Sequence, residues 1–218
     1  MEDRLTPGLY LECSTLDAAE YAATRIDTAL ALPHVTRATW WSNAYPNRPD
    51  LPRRLPEFAT LGVYELDDAN AFAPPATPDG TLGLHFARTP RPGQGQMYGR
   101  RTVGLSVVLI SPKDPARAQE LRDWGDFVHI SYIASVGIPG FTMITPYENT
   151  SGGEPRFLHF YEFDDADAGS EATFKRMTPL IAERYGAPGT PTYDSWAWHP
   201  QLRIEYVNSF DLVGERTP

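Results

Sequence analysis

Two histidines and a tyrosine carry the strongest acid–base signal in this chain: His129, His159 and Tyr161. An imidazole exchanges protons near neutral pH, and a phenol can donate to an oxyanion. Such a pair can draw a proton from the carbon beside a carbonyl and hold the enolate that forms, without a metal. His159 lies in Arg156-Phe157-Leu158-His159-Phe160-Tyr161-Glu162-Phe163. The two-residue alternation of a strand sets His159, Tyr161 and Phe163 on one face and Leu158 and Phe160 on the other. Leu61 and Val63, which match Leu158 and Phe160 in an earlier strand, are aliphatic and suit packing under helices. His159 and Tyr161 are therefore expected to point into the space the sheet encloses. At about 100° per residue, His129 falls about 80° from Leu121, on the shoulder of its helix's apolar stripe. Each histidine has a plainer reading: His129 bonded to a carbonyl or to Asp126, and His159 filling the interior beside a water.

Aromatic residues could wall such a site. Trp196, Trp198 and His199 crowd the approach to the last strand, Trp40 and Trp41 lie in the first half, and Trp124 precedes His129 on its helix. They suit a planar substrate, and they suit equally a plugged core. Glu162 is a further candidate contact, although with its counterpart Glu65 it also fits a backbone or arginine partner at a strand end. Asp67-Asp68 and Asp164-Asp165 read as helix caps. No metal site is expected, because the five histidines show no HxH, HxxxH or HExxH spacing and Cys13 is the single cysteine. Cys13 sits in an apolar strand and reads as a buried small hydrophobe. No cofactor is predicted. Haem needs one axial histidine, so that group stays open.

The chain has 218 residues, 41% of them hydrophobic, and a formal net charge of −9. That charge argues against a nucleic-acid partner, which calls for clustered Lys and Arg. No run reaches the roughly 18 apolar residues of a membrane span, and Met1-Glu2-Asp3-Arg4 leads into a strand, so a cytoplasmic location without a membrane partner is expected. The remaining partners are a small molecule and a second copy of the chain, as monomer or homodimer.

The elements that position these residues come in duplicate. Tyr64-Glu65-Leu66-Asp67-Asp68-Ala69-Asn70-Ala71 returns 97 residues later as Tyr161-Glu162-Phe163-Asp164-Asp165-Ala166-Asp167-Ala168. Gly8-Leu9-Tyr10-Leu11-Glu12-Cys13 likewise answers Gly104-Leu105-Ser106-Val107-Val108-Leu109 at an offset of 96. Two echoes at nearly one offset imply two copies of one unit. In the second, 102–218, strands over 102–110, 141–145, 156–163 and 202–212 alternate with helices bearing Leu121, Trp124, Val128 and Tyr132, and Phe174, Met177, Ile181 and Tyr185. That order is β-α-β-β-α-β, the ferredoxin-like arrangement. The first copy, 1–87, is a worn version with a helix opened by Asp17 and stopped by Pro33. Residues 88–101 connect them and form a candidate lid. The fold class is α+β: tandem ferredoxin-like repeats whose sheets pack face to face into one α/β barrel, with the ligand expected between them.

The segment Trp124-Gly125-Asp126-Phe127-Val128-His129 followed by Gly137-Ile138-Pro139-Gly140-Phe141, with the later Phe160-Tyr161-Glu162, resembles the dimeric α/β-barrel superfamily and within it the EthD-like proteins. The resemblance covers most of 102–212. The first copy lacks a histidine matching His129, so family chemistry is expected in one half. The superfamily holds lyases, isomerases, cyclases, cofactor-free monooxygenases and haem enzymes, so it implies an architecture before a reaction. Taken with the residues, it leads to a cofactor-independent lyase, isomerase or cyclase acting on a small carbonyl-bearing or aromatic metabolite. His129 or His159 serves as base and Tyr161 as proton donor. A non-catalytic small-molecule binder and a haem or oxygen-dependent enzyme are the alternatives.

Overall fold

The computed structural model describes residues 6–48, 52–91, 93–95, 101–164 and 169–218, with 169–174 described by backbone alone. The first half runs β1 (Gly8–Ser14), α1 (Ala18–Leu30), β2 (Val35–Asn43), β3 (Thr60–Leu66) and β4 (Thr81–Arg88). A two-residue strand, β5 (Gln94–Gly95), precedes the second half. That half runs β6 (Gly104–Pro112), α2 (Ala118–Trp124), α3 (Ile130–Ser135), β7 (Phe141–Asn149), β8 (Phe157–Phe163), α4 (Gly169–Tyr185), α5 (Pro191–Ala197) and β9 (Leu202–Arg216).

The strands follow the order β4-β1-β3-β2-β9-β6-β8-β7, and β4 pairs back onto β7, so eight antiparallel strands close into a barrel with β5 lying against β7. Within each half the order is fourth, first, third, second, as in the ferredoxin-like unit. The sequence repeat is a repeat of register: Gly8 opposes Leu66 and Gly104 opposes Phe163.

Local chemistry sets the elements. Asp17 opens α1 by accepting from the N–H groups of Ala19 and Glu20. Asp68 makes the same bonds to Asn70 and Ala71, but Pro74, Pro75 and Pro78 follow and no helix forms there. The matching cap at Asp165, the rest of that motif to Ala168, Gly99 of the connector, Met1 to Arg4 and the side chain of Phe174 lie outside the described residues.

The barrel interior is a filled core. Leu9, Leu11, Cys13, Leu61, Val63, Leu84, Phe86, Leu105, Val107, Leu109, Leu158, Phe160, Tyr206 and Phe210 pack together inside it. An eight-stranded barrel is just wide enough for such side chains to fill it. Phe58 plugs one end, its ring 4.7 Å from Tyr206 and 5.4 Å from Phe210. At the opposite end, a cleft of about 340 Å³, counting its open mouth, is lined by Trp41, Tyr147, Glu65 and Glu162 among others. One expectation is thereby corrected. Leu158 and Phe160 face inward, so His159 and Tyr161 face outward beneath the helices. Leu158 and Phe160 extend the apolar core, whereas the Tyr161 hydroxyl finds its partner, His129, in the helix layer. The space between the sheets is filled in its middle and opens at that cleft, which Leu9, Val63, Leu105 and Phe160 also line.

Candidate functional site

Each half buries its motif tyrosine between sheet and helix, and the two halves satisfy that hydroxyl differently. In the first, the Tyr64 hydroxyl lies 2.6 Å from that of Tyr21 on α1, and Tyr21 donates to Glu12 at 2.9 Å. Arg25 closes on the same carboxylate through Nε at 3.1 Å and Nη2 at 2.5 Å. Gly62 makes the room, since a Cβ there would run into the Tyr21 hydroxyl. Glu12 is wholly buried, and the guanidinium and hydroxyls around it compensate its desolvation. This paired network was missed in the sequence, where a lone Glu in the apolar run Leu9-Tyr10-Leu11-Glu12-Cys13 was its signal.

In the second half the Tyr161 hydroxyl meets His129, whose Nε2 lies 3.3 Å away. His129 Nδ1 lies 2.9 Å from the carbonyl oxygen of Trp196. A carbonyl only accepts, so Nδ1 carries the proton and Nε2 presents its lone pair to the phenol. The His159 ring stacks on His129 at 5.9 Å. Trp124 and Trp196 flank His129 at 5.0 and 5.7 Å, and His199 stands 5.6 Å from Trp124 toward the surface.

A π turn, Gly125–His129, joins α2 to α3 and sets this geometry. The Ile130 N–H bonds the Gly125 carbonyl five residues back. Each residue of such a turn advances by less than the α-helical angle, so His129 swings back toward the direction of Leu121. His129 is half-buried there, at the edge of the apolar stripe, with Trp124 and Trp196 against its ring. Gly125 is needed in the turn because a Cβ there would sit 3.0 Å from His159 Nε2. Such turns recur at functional sites.

Burial dominates the electrostatics. It pushes the His129 imidazole below its ordinary range, partly offset by the Trp196 carbonyl. Burial and then His129 push His159 down to about 3, and burial raises the Tyr161 phenol. At neutral pH all three groups are uncharged.

Of the aromatic candidates, Trp124, Trp196 and His199 join this cluster. Trp40 packs in the other half, near α1 and Gly214 of β9, and Trp198 is 61% exposed and apart from it. Glu162 faces the barrel end and accepts from Thr102 at 2.8 Å, while Glu65 accepts from Arg37 at 2.7 Å. His34 pairs with Asp67 at the surface, and His85 is buried edge-on to Phe72 with Nδ1 on Thr150. Asp126 was weighed only as a partner of His129. The π turn aims it elsewhere: its charged neighbours are Arg122, Arg91, Asp123 and Glu148, Oδ2 has no partner, and burial pushes its carboxyl up to about 6.

Among the described residues no three His, Cys, Asp or Glu side chains converge as metal ligands. Nor do the residues around His129 fit a haem. Both ring nitrogens are engaged, and stacked rings on its two sides leave a porphyrin no slot. Among the described residues no helix is long and apolar enough to cross a membrane.

No protein-family model matches the sequence, and no curated protein does. Solved structures do match in shape. A mutant chlorite dismutase from Candidatus Nitrospira defluvii, in complex with cyanide, superposes with a TM-score of 0.53 at 9% identity, over 98% of this chain and 96% of that one. A major regulator of staphylococcal pathogenesis gives 0.52 at 10% identity, over 94% of this chain and 99% of that one. At such identities the likeness is one of fold. Full-length agreement in shape, with the ferredoxin-like strand order in both halves, gives this chain the dimeric α/β-barrel fold, built here within one polypeptide.

Proposed function

We propose that the chain is an EthD-like, cofactor-independent acid–base enzyme, a lyase, isomerase or cyclase, acting on a planar, carbonyl-bearing metabolite beneath the helices of the second half. One observation carries the reading: His129 is held in the Nδ1–H tautomer, with its Nε2 lone pair facing a neutral Tyr161 hydroxyl. In the reaction the Tyr161 hydroxyl turns from Nε2 to the substrate oxygen, and the freed Nε2 takes the proton from the carbon beside the carbonyl. The C–H electron pair moves into the enolate, and the Tyr161 hydroxyl donates a hydrogen bond to its oxygen. Return of the proton to another carbon completes an isomerisation, and loss of a leaving group completes an elimination. His159 and Trp124 hold the base in place through ring packing. The first half carries no such pair, since Tyr21 stands where the second half has His129.

The test is deuterium uptake. The protein is incubated in D2O with a panel of planar ketones, and exchange at the α-carbon is read by mass spectrometry. Uptake that His129→Ala and Tyr161→Phe each lower at least about 100-fold is the expected result, the usual worth of general acid–base catalysis. Uptake at the parent rate in both variants would sink the reading, and saturable binding without uptake would make the chain a binder.

A further inference from the structure

We infer that the Trp196 indole Nε1–H, carried on α5, is a second donor to the substrate carbonyl beside the Tyr161 hydroxyl. The inference rests on the reading of His129 and Tyr161 as the reacting pair. Trp196 is 5% exposed, and its Nε1 has no hydrogen-bond partner. A buried donor without an acceptor is costly, and a carbonyl oxygen that reaches it removes that cost. The ring stacks on His129 at 5.7 Å and meets Tyr193 edge-on at 5.0 Å. Its surroundings are thus aromatic and uncharged, which selects a neutral planar ketone over an ionised acid.

The helix that bears Trp196 is short and lies at the surface, entered through Gly186 at φ 91° and Gly189 at φ 88°, in the left-handed region that glycine tolerates best. Its outer residues Thr192, Asp194 and Ser195 are exposed. On the inside, two side chains reach its last turn: Trp124 Nε1 donates to the Ser195 carbonyl at 3.0 Å and His129 Nδ1 to that of Trp196 at 2.9 Å. One of the two fasteners is the base itself. The last turn of α5 therefore fixes the tautomer that leaves Nε2 unprotonated and carries the indole donor beside it.

The probe is acetophenone, titrated into 15N-labelled protein. The Trp196 indole resonance is assigned through its contacts to the His129 ring and by its loss in Trp196→Phe. A saturable downfield shift of that resonance, with those of Trp40 and Trp41 unmoved, is expected. Trp196→Phe should bind acetophenone about tenfold more weakly, the loss of one hydrogen bond. Amides of α5 should exchange hydrogen faster than those of β8. A Trp196 resonance that stays still at high acetophenone, or equal binding by Trp196→Phe, overturns the assignment. If that variant does not fold, the parent titration decides alone. The indole shift reads binding without turnover, so it can persist while deuterium uptake fails, and the two readings fall separately.

Discussion

Replacing His159 by Gln should remove much of the protein's sensitivity to mild acid. His159 is 3% exposed, and its imidazole is pushed from an ordinary value near 6.5 to about 3. The folded state thus resists protonation while the unfolded chain accepts it. Between those two values the unfolded chain holds more protons, so stability is greatest above pH 6.5 and falls as the pH falls. Each unit of difference is worth about 1.4 kcal/mol, which amounts to about 2 kcal/mol lost between pH 7.5 and pH 5, and about 4 kcal/mol if the fold survives to pH 3. Gln keeps the size and polarity of the side chain without the titration. The assay is urea unfolding of parent and His159→Gln at intervals from pH 7.5 to 5. The parent should lose about 2 kcal/mol more than the variant over that range. His129, also depressed by burial, keeps some slope in the variant. Parallel curves for the two proteins would refute the claim that His159 is buried neutral against His129.

Two further outcomes concern the first half. Gly62→Ala forces a methyl group into the Tyr21 hydroxyl and should cost about 2–4 kcal/mol in urea unfolding, with part of the loss recovered when Tyr21→Phe is added. Arg25→Met strips the buried Glu12 carboxylate of its two-point partner and should cost about 3–5 kcal/mol, largely restored at neutral pH by adding Glu12→Gln; no recovery in the double variant would mean the ion pair is not what holds α1 to β1.

Elements were more legible in the chain than faces. The repeat at an offset of 96 to 97 gave the duplication, and the pairing of Gly8 with Leu66 and Gly104 with Phe163 shows the same register in space. Strand alternation separated Leu158 and Phe160 from His159 and Tyr161 correctly. It could not say which set faces inward, because both sides of these strands are buried and period two is blind to which layer covers each. The α-helical wheel that sets His129 at the edge of the apolar stripe contains no π turn, and Gly125 is the hint that the helix changes there. α5 was not foreseen, although Thr190 before Pro191 is a sound start signal; a seven-residue helix has too little period to read. Glu12, Tyr21 and Arg25 come together only once α1 lies on β1, a contact that no local pattern encodes.

The barrel has two seams between its halves, β2 with β9 and the shorter β4 with β7, and both are made within one chain. Two separate half-length chains would have to meet before either sheet was covered, and their stability would depend on concentration. Linked, they close as an intramolecular event at a high local concentration. The melting temperature of a protein built this way is set by its own sequence rather than by its abundance. Linkage also releases the halves from identity. A symmetric dimer repeats every substitution in both subunits, so a residue that suits one site is imposed on the other. Here the counterpart of one tyrosine could settle into an ion-paired anchor at Glu12 and Arg25 while the other kept an imidazole partner. One half can then hold the structure rigid, leaving the other free to evolve its chemistry.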